Sequence, residues 1–397
     1  MTGVRVASLG DIAAVSAGNP APQDAADFSD DGEPFVRMQD VGREHHTRSL
    51  IVTTDKVSVD AIHSKRLRRF PAGTLLIPKS GASINLNHRA LLARDAYVVS
   101  HLATVVPDIL VIEPDYLYFW SLTYDPRSQA QTTSLPSLPT SLIKAAKVPL
   151  PALEEQRRIV DVLSRAEGIV RLRREARAKA AELVPALFLD MFGDPASNPR
   201  GWPVVALGEL IIDGPQNGLY KHKSFYGEGT PILRIDGFYD GAVRDLSSLQ
   251  RVRLAPEEIE RYALTANDLV INRVNSPEYL GKSALIPALH EPTVFESNMM
   301  RLRLDETRAM PDFIIHSLQT EDLRMQVLAS AKHAINQSSI NQQDVRALQV
   351  LLPPIDLQRQ FAAKVDAVSG IIVHQDAALD KARATFDSLL QQAFARS

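Results

Sequence analysis

From Glu154 onward, apolar residues recur at helical spacing: Ile159, Leu163, Ala166 and Val170, then Ala176, Ala180, Leu183, Leu187 and Met191. The opposite face is charged and mixed in sign, with Arg157, Arg158, Asp161, Arg165, Glu167, Arg171, Arg173, Arg174 and Glu175. Heptad-like spacing kept over this length predicts the seam of a coiled coil. Pro149 and Pro151 stand just before it, where a missing N–H costs nothing, and Glu154 and Glu155 fall in the first turn, where the helix dipole favours them. A second stripe runs through Phe361, Val365, Val368, Ile372, Ala378, Ala382, Phe386, Leu389 and Ala393. Each stripe predicts a helix of about 35–40 residues, roughly 50–60 Å long. Such a stripe has to be buried, and its nearest partner is the other copy. The expectation is an antiparallel pair that places the two remaining parts of the chain at opposite ends. Pro185 removes a helical hydrogen bond and predicts a kink or break over residues 182–185. The turn-rich "GDPASNPRGWP" at 193–203 marks a boundary.

Outside the stripes the pattern changes to short apolar runs bounded by Gly, Pro, Asn and Asp: "TLLIP", "AYVVS", "ATVVP" and "ILVIEP" in residues 1–148, "PILRI", "DLVIN", "SALIP" and "MMRLRL" in 204–348. These predict strands. Helical patches fall at 116–122 and 311–331, with Pro256–Tyr262 a further candidate. Each segment therefore reads as an α+β unit with a small, barrel-like sheet.

The two stripes are copies. Residues 147–192 slide onto 349–394 without a gap, and 12 of 46 positions are identical, among them Pro151/Pro353, Gln156/Gln358, Arg157/Arg359, Gly168/Gly370, Lys179/Lys381, Leu187/Leu389 and Phe192/Phe394. Chance gives roughly three. Fainter echoes precede them: "SLGDI" at 8–12 and "ALGEL" at 206–210, "PFVRMQDV" at 34–41 and "PILRIDGF" at 231–238, "GTLLIPKSG" at 73–81 and "NDLVINRVN" at 267–275, "SHLATVV" at 100–106 and "SNMMRLR" at 297–303. The predicted organisation is thus a unit at 1–148, a helix at 149–192, a linker at 193–203, a second unit at 204–348 and a second helix at 349–397. It is an α+β chain with a pseudo-twofold internal repeat, in which the units have diverged far more than the helices.

Composition narrows the chemistry. Of 397 residues 45% are hydrophobic and 23% charged, as in ordinary globular proteins, and there are no cysteines, which excludes disulfides and thiolate chemistry and fits a reducing cytosol. No apolar run resembles a signal peptide or a membrane span. The net charge of −3 is unusual for a free-standing DNA-binding protein, although local patches, not totals, carry phosphate binding. The "GKS" at 281–283 is no phosphate loop, because the glycine required upstream is Ser276. No dinucleotide fingerprint, amino-methylation motif or metal spacing occurs. His45 and His46 read as loop histidines. The missing catalytic constellation points to binding or scaffolding.

Basic residues cluster in "HSKRLRRF" at 63–70, with Lys65, Arg66 and Arg68, and in "YKHKSFY" at 220–226, where aromatics flank Lys221 and Lys223. Polar loops follow strands at "PKSGAS", with Lys79, Ser80 and Ser83, and at "NRVNSPEYLGKS", with Arg273, Asn275 and Lys282. "INQSSINQQD" at 335–344, with Gln337 and Ser338, is dense in amides and hydroxyls. Lys and Arg suit phosphates; Arg, Asn and Gln can read base edges. For any single residue a solvated loop is the simpler reading, and the amide run contacts nucleic acid or only makes turns.

The stretch "PLPALEEQRRIVDVL…LFLDMFGDPASNPRGWP", with its second copy, resembles the conserved regions of the specificity subunit of type I restriction–modification systems. There a proline-ended strand leads into a helix carrying a Gln beside a basic residue, here Gln156–Arg157 and Gln358–Arg359, which the resemblance assigns to helix start and subunit docking. It covers essentially the whole chain. It implies two target-recognition domains reading a bipartite, asymmetric double-stranded DNA site, separated by an antiparallel two-helix coiled coil that docks two methyltransferase subunits. It implies no catalysis, metal or cofactor in this chain: S-adenosylmethionine belongs to the methyltransferase partners, and ATP and Mg to a restriction subunit where one joins. A cytoplasmic location and no membrane follow. Departures are Leu357 against Glu155, Pro185, and a first-unit loop lacking the Gly-Lys of "YLGKS". Two further readings compete. A coiled-coil scaffold would bind proteins through its units without touching DNA, and an unrecognised nuclease would cleave DNA alone with metal.

Overall fold

The computed structural model describes residues 5–45, 47–125, 137–334 and 337–394. The chain divides into two compact units, Met1–Arg177 with Gln375–Ser397, and Ala178–His374.

In the first unit one sheet runs in the order Ala13–Ala17, Leu102–Pro107, Leu75–Pro78, Ala90–Leu92, Ser49–Leu50. Strand alternation sorts its central members. Leu75 and Ile77 enter the core that holds the helix Pro114–Thr123, while Leu76 enters another, shared with a second sheet of Asp55–Val57, Phe28–Val36, Ala96–Val98 and Arg69–Phe70. With both faces covered, the strand reads as an unbroken apolar run. The barrel-like sheet expected from sequence does not form: the five-stranded sheet is open, with Ala13–Ala17 and Ser49–Leu50 at its edges.

The run at 109–114, expected as a strand, is a turn. Asp108 Oδ1 accepts from the Leu110 N–H at 3.1 Å, Ile109 and Leu110 are exposed, and only Ile112 is buried. Pro114 at the first helical position ends the turn by starting the helix.

Arg5–Ser8 pairs antiparallel with Lys147–Leu150, the strand that leads into the long helix Leu153–Phe192. Leu163 near the start of that helix shares a core with Leu390 and Phe394, at the end of the second long helix, Ile355–Phe394. Farther along, Arg177 Nε donates to Asp376 Oδ1 at 3.1 Å. Residue numbers fall on one helix as they rise on the other, so the two segments run antiparallel within this unit. Arg48 ties the sheet to the helix: its guanidinium donates to Asp115 at 2.7 Å, to Glu167 at 3.0 Å and to Ser164 at 3.2 Å, and lies 4.7 Å from the Phe119 ring centre.

In the second unit the main sheet runs Ile211–Asn217, Met299–Leu304, Leu269–Asn272, Ser283–Leu285, Gly241–Val243, Phe238–Tyr239. Leu269 and Ile271 face the core of the helix Pro311–Leu318, and Val270 faces the opposite core. Val204–Ala206 pairs with Gln349–Leu351, just before Ile355–Phe394. The helical patch at 311–331 is two helices, Pro311–Leu318 and Glu321–Ser330. Thr320 is extended between them, and Glu321 and Asp322 open the second.

The break expected at Pro185 is absent, for the helix runs unbroken to Phe192. Pro185 faces solvent, where water can take up the carbonyl it leaves without a partner, and Val184 and Phe188 on either side are buried. The buried positions here also fall one residue later than the spacing predicted. Leu183 is 47% exposed, whereas Val184, Phe188 and Phe192 are buried. Aromatic packing sets this phase: Phe192 lies 4.7 Å from Phe313 and 5.3 Å from Phe361, and Phe188 lies 5.7 Å from both.

Each long helix carries a wholly buried glutamine in its first turn. Gln156 Oε1 accepts from the Glu113 N–H at 2.9 Å, and Nε2 donates to Val111 O at 3.1 Å and Pro151 O at 2.9 Å. Gln358 Oε1 accepts from the Met310 N–H at 2.9 Å, and Nε2 donates to Arg308 O at 3.3 Å and Pro353 O at 2.8 Å. Glu113 and Met310 are the residues that cap the short helices starting at Pro114 and Pro311.

Replacing Gln156 by Leu leaves one N–H and two carbonyls without partners in the interior, which costs about 2–4 kcal/mol in chemical denaturation. Gln156→Glu restores only the acceptor and recovers less than half of that loss. His316, half-buried with its ring 5.5 Å from that of Phe361, has its pKa lowered by desolvation to about 4. The folded state therefore favours the neutral imidazole. This stability is full above pH 6.5 and falls as pH drops toward 4, by about 2–3 kcal/mol in all. The wild-type chain minus His316→Gln should show that slope; parallel pH profiles would refute it.

Candidate nucleic-acid interface

In the first unit, the strand Leu75–Pro78 delivers Lys79 and Ser80 to a turn shared with Ser100 and His101. The Lys79 N–H donates to His101 O at 3.1 Å, and Ser80 Oγ lies 2.7 Å from His101 Nδ1. Gly18 and Asn19 cross beside it. The Ser100 N–H donates to Asn19 O at 2.6 Å, and a Cβ on Gly18 would stand 2.3 Å from Val99 O, so only glycine fits the crossing. Asn19 then holds Arg68, accepting its N–H at 2.7 Å and donating to its carbonyl at 2.8 Å. The Arg68 guanidinium donates to Ser16 Oγ at 2.6 Å and to Ala17 O at 2.9 Å. The fold thus gathers Arg68, Lys79 and Ser80 around one turn. Lys65 is instead paired with Asp27 at 3.1 Å, Arg66 sits exposed in the left-handed region (φ 53°), and Ser83 lies half-buried in the one-turn helix Ala82–Leu86.

In the second unit, the matching crossing is Gly218, whose Cβ would come within 2.2 Å of Glu296 O. It leads to Tyr220, Lys221 and Lys223, which line a cavity of about 400 Å³ with Arg234, Ser297 and Asn298. Lys221 donates to Glu258 at 2.7 Å, and that bond holds the Glu258 carboxyl below its usual range. Arg234 bonds Glu296 at 3.3 Å and Gln250 at 2.7 Å. Next to the cavity, the Arg273 N–H donates to Asn298 O at 2.8 Å and its guanidinium to Ser297 O at 3.2 Å. Val274–Asn275 pairs with Gln337–Ser339, setting Asn275 opposite Ser338, which is buried and follows exposed Gln337. Lys221, Lys223, Arg273, Asn275 and Gln337 thus lie on adjoining segments, whereas buried Ser338 offers no surface.

Lys282 is held differently. Its ammonium donates to Ile235 O at 2.5 Å and rests 3.7 Å from the Tyr239 ring centre, 4.8 Å from Phe238 and 5.5 Å from Tyr279. Burial, then Arg244, lowers its pKa. Gln156 and Gln358 offer no surface, so docking on these turns would fall to exposed Arg157, bonded to Glu113 at 2.6 Å, and exposed Arg359, bonded to Asp356 at 2.9 Å. Sequence reading overlooked Asn19, His101, Arg234, Ser297 and Asn298. The signal for three of them was present, since the echoing segments at 100–106 and 297–303 begin at these turns.

Among the described residues no group of three or more His, Cys, Asp or Glu side chains could hold a metal, and no helix is long and apolar enough to cross a membrane. His45 stacks on His88 at 3.9 Å; His46, and residues 335 and 336 of the amide-rich run, lie outside the described residues.

Residues 1–181 match the family model of the type I restriction modification DNA specificity domain. The chain is 31% identical over 189 residues to the MjaX specificity subunit of Methanocaldococcus jannaschii, covering 47% of this chain and 44% of that one. It is 27% identical over 263 residues to the type I restriction enzyme StySPI specificity subunit of Salmonella potsdam, covering 63% and 56%. It is 27% identical over 191 residues to the EcoKI specificity subunit of Escherichia coli strain K12, covering 48% and 41%. The chain thus spans about half the length of these curated relatives. Its fold is similar to a chain solved in work on assembly and conformational transition of a type I R-M system, with TM-score 0.60, 18% identity, and 99% and 98% of the two chains covered. The S subunit of a type I restriction-modification system from M. genitalium gives TM-score 0.52 at 14% identity, with 98% and 96% covered.

Proposed function

We propose that the chain is the DNA sequence-specificity subunit of a type I restriction–modification system, a reading supported by the match of residues 1–181 to the family model of the type I restriction modification DNA specificity domain. The observation that carries this is that the unit matching the DNA specificity domain model is followed, in Ala178–His374, by a unit whose sheet has the same neighbours. Leu102–Pro107 lies between Ala13–Ala17 and Leu75–Pro78; Met299–Leu304 lies between Ile211–Asn217 and Leu269–Asn272. This, with the paired buried glutamines, supports a pseudo-twofold repeat, and the antiparallel contacts within the first unit support a two-helix coiled coil.

On this reading the two units are target-recognition domains, each taking half of a bipartite double-stranded site. The adjoining segments that carry Lys221, Lys223, Arg273, Asn275 and Gln337, and the turn around Arg68, Lys79 and Ser80, face the nucleic acid. The units differ in sequence, so the site is asymmetric. The long helices are the spacer, setting half-sites about one helical turn (10–10.5 bp) apart or a multiple of it. They also dock two methyltransferase subunits. Val162, Ile169 and Leu172 in the first unit, and Ile371 and Val373 in the second, are large apolar side chains left exposed on these helices, and a partner would cover them. Methylation, with its S-adenosylmethionine, and ATP-driven cleavage with Mg where a restriction subunit joins, belong to the partners.

Exchanging residues 204–348 for those of another specificity subunit, then sequencing the methylome of cells carrying the system, should change one half of the modified site only; a change in both halves would end the modular reading. Lys79→Ala should weaken duplex binding several-fold across all sequences and lower the salt slope by about one. An unchanged slope would remove Lys79 from the interface. A chain that captures methyltransferase but shifts no duplex at any salt would favour the scaffold.

A further inference from the structure

We propose that the Asn298 carboxamide reads a base in the second unit, adenine by preference, and that Arg273 positions it. This rests on the DNA reading above and assigns the group that would carry one position of the target. Four of the polar side chains around the cavity at Tyr220 are already committed: Lys221, Arg234, Gln250 and Glu296. Lys221 is held by Glu258 at 2.7 Å. Arg234 is held by Glu296 and Gln250, and Glu296 also accepts the Ile235 N–H at 2.7 Å. Among the described residues no hydrogen bond engages the side chains of Ser297 or Asn298, and no ion pair engages Lys223. Tyr220 stands 77% exposed at the rim.

The backbone of Asn298 is fixed as firmly as its side chain is open. Its carbonyl accepts the N–H groups of Arg273, at 2.8 Å, and of Val274, at 3.4 Å. One turn of the guanidinium away, Arg273 donates to Ser297 O at 3.2 Å, while Arg273 Nε is buried with no partner. Arg273 thus holds the turn by two bonds, one from its main chain and one from its guanidinium. A carboxamide on an immobilised backbone offers one donor and one acceptor side by side, the pattern that pairs with N7 and N6 of adenine in the major groove. Lys223 is placed to meet a phosphate beside it, and Tyr220 to cover the contact with an apolar ring.

The first unit differs at the same place. The echo of "SHLATVV" with "SNMMRLR" sets His101 against Asn298, and His101 Nδ1 is engaged by Ser80 at 2.7 Å. One turn of the fold therefore carries a carboxamide in one unit and an imidazole in the other, which accounts for half-sites of different sequence.

The test is selection from a random duplex library with the full chain, bound to its methyltransferase partners where these co-purify, in parallel with methylome sequencing. Asn298→Ala should lose about ten- to hundredfold preference at one base pair of one half-site and leave the other half and the salt slope unchanged. Arg273→Met should relax the same base pair, an effect that loss of stability alone does not produce. Identical enrichment by wild type and Asn298→Ala would overturn the inference while the specificity-subunit reading stands. Uniform weakening over all sequences with a smaller salt slope would make Asn298 a phosphate contact and overturn it equally. If wild type enriches no sequence at all, the DNA reading falls and this inference with it.

Discussion

One buried carboxamide at the start of each long helix holds the architecture in place. The first turn of a helix leaves N–H groups unpaired, and the chain just before it exposes carbonyls. Packing a short helix against that point doubles the problem, since both starts meet in the interior. Gln156 resolves it in the first unit and Gln358 in the second, each by accepting one N–H from the residue capping the short helix and donating to two carbonyls. Glutamate would supply no donor and would bring a charge into the interior; leucine would satisfy nothing. The demand is for one acceptor and two donors at fixed places, which explains why this residue recurs at the same register in both copies.

What the glutamine fixes propagates outward. The short helices Pro114–Thr123 and Pro311–Leu318 cover one face of each main sheet, through Leu75 and Ile77 in one and Leu269 and Ile271 in the other. The strands so held end at Lys79–Ser80 and at Arg273, which leads into the short strand Val274–Asn275. There the glycine crossings bring a second segment within touching distance. Backbone geometry is thus imposed from the core, and the side chains at the turns are left to vary. That division matches the distribution of identity in the sequence: dense across 147–192 and 349–394, faint before them.

The parts legible in the sequence were those set by local pattern. Two long helices, the paired Pro–Gln starts and the strands flanking Lys79 and Arg273 follow from periodicity and turn residues. Three features that depend on tertiary packing were not legible. Pro185 passes through its helix because the carbonyl it orphans faces solvent. The buried face shifts to Val184 and Phe188 because Phe313 and Phe361 await them. The run at 109–114 looks like a strand until Pro114 is seen to open a helix. The candidate site divides the same way. Lys79, Ser80 and Arg273 were found because they follow apolar runs. The pairing of Lys65 with Asp27 and the aromatic box around Lys282 join distant segments, so neither could be read off the chain. Asn298 belongs to no basic cluster and follows none of the apolar runs that read as strands, and only its place in a faint echo marked it.

The charge balance acquires a physical sense from these pairings. Two cations at the proposed interface, and one candidate outside it, are neutralised internally: Lys221 by Glu258 and Arg234 by Glu296, and Lys65 by Asp27. A surface whose charges are already paired gains little from phosphate contact, because the existing partner must be given up for each new one. Such a reader would bind arbitrary sequence weakly, and its free energy of recognition would come from oriented amides, hydroxyls and rings. With a net charge of −3, the chain would then rely on its partners for general affinity for the duplex. Under the proposed reading, discrimination would be a property of turns such as 297–298, and affinity a property of the assembly.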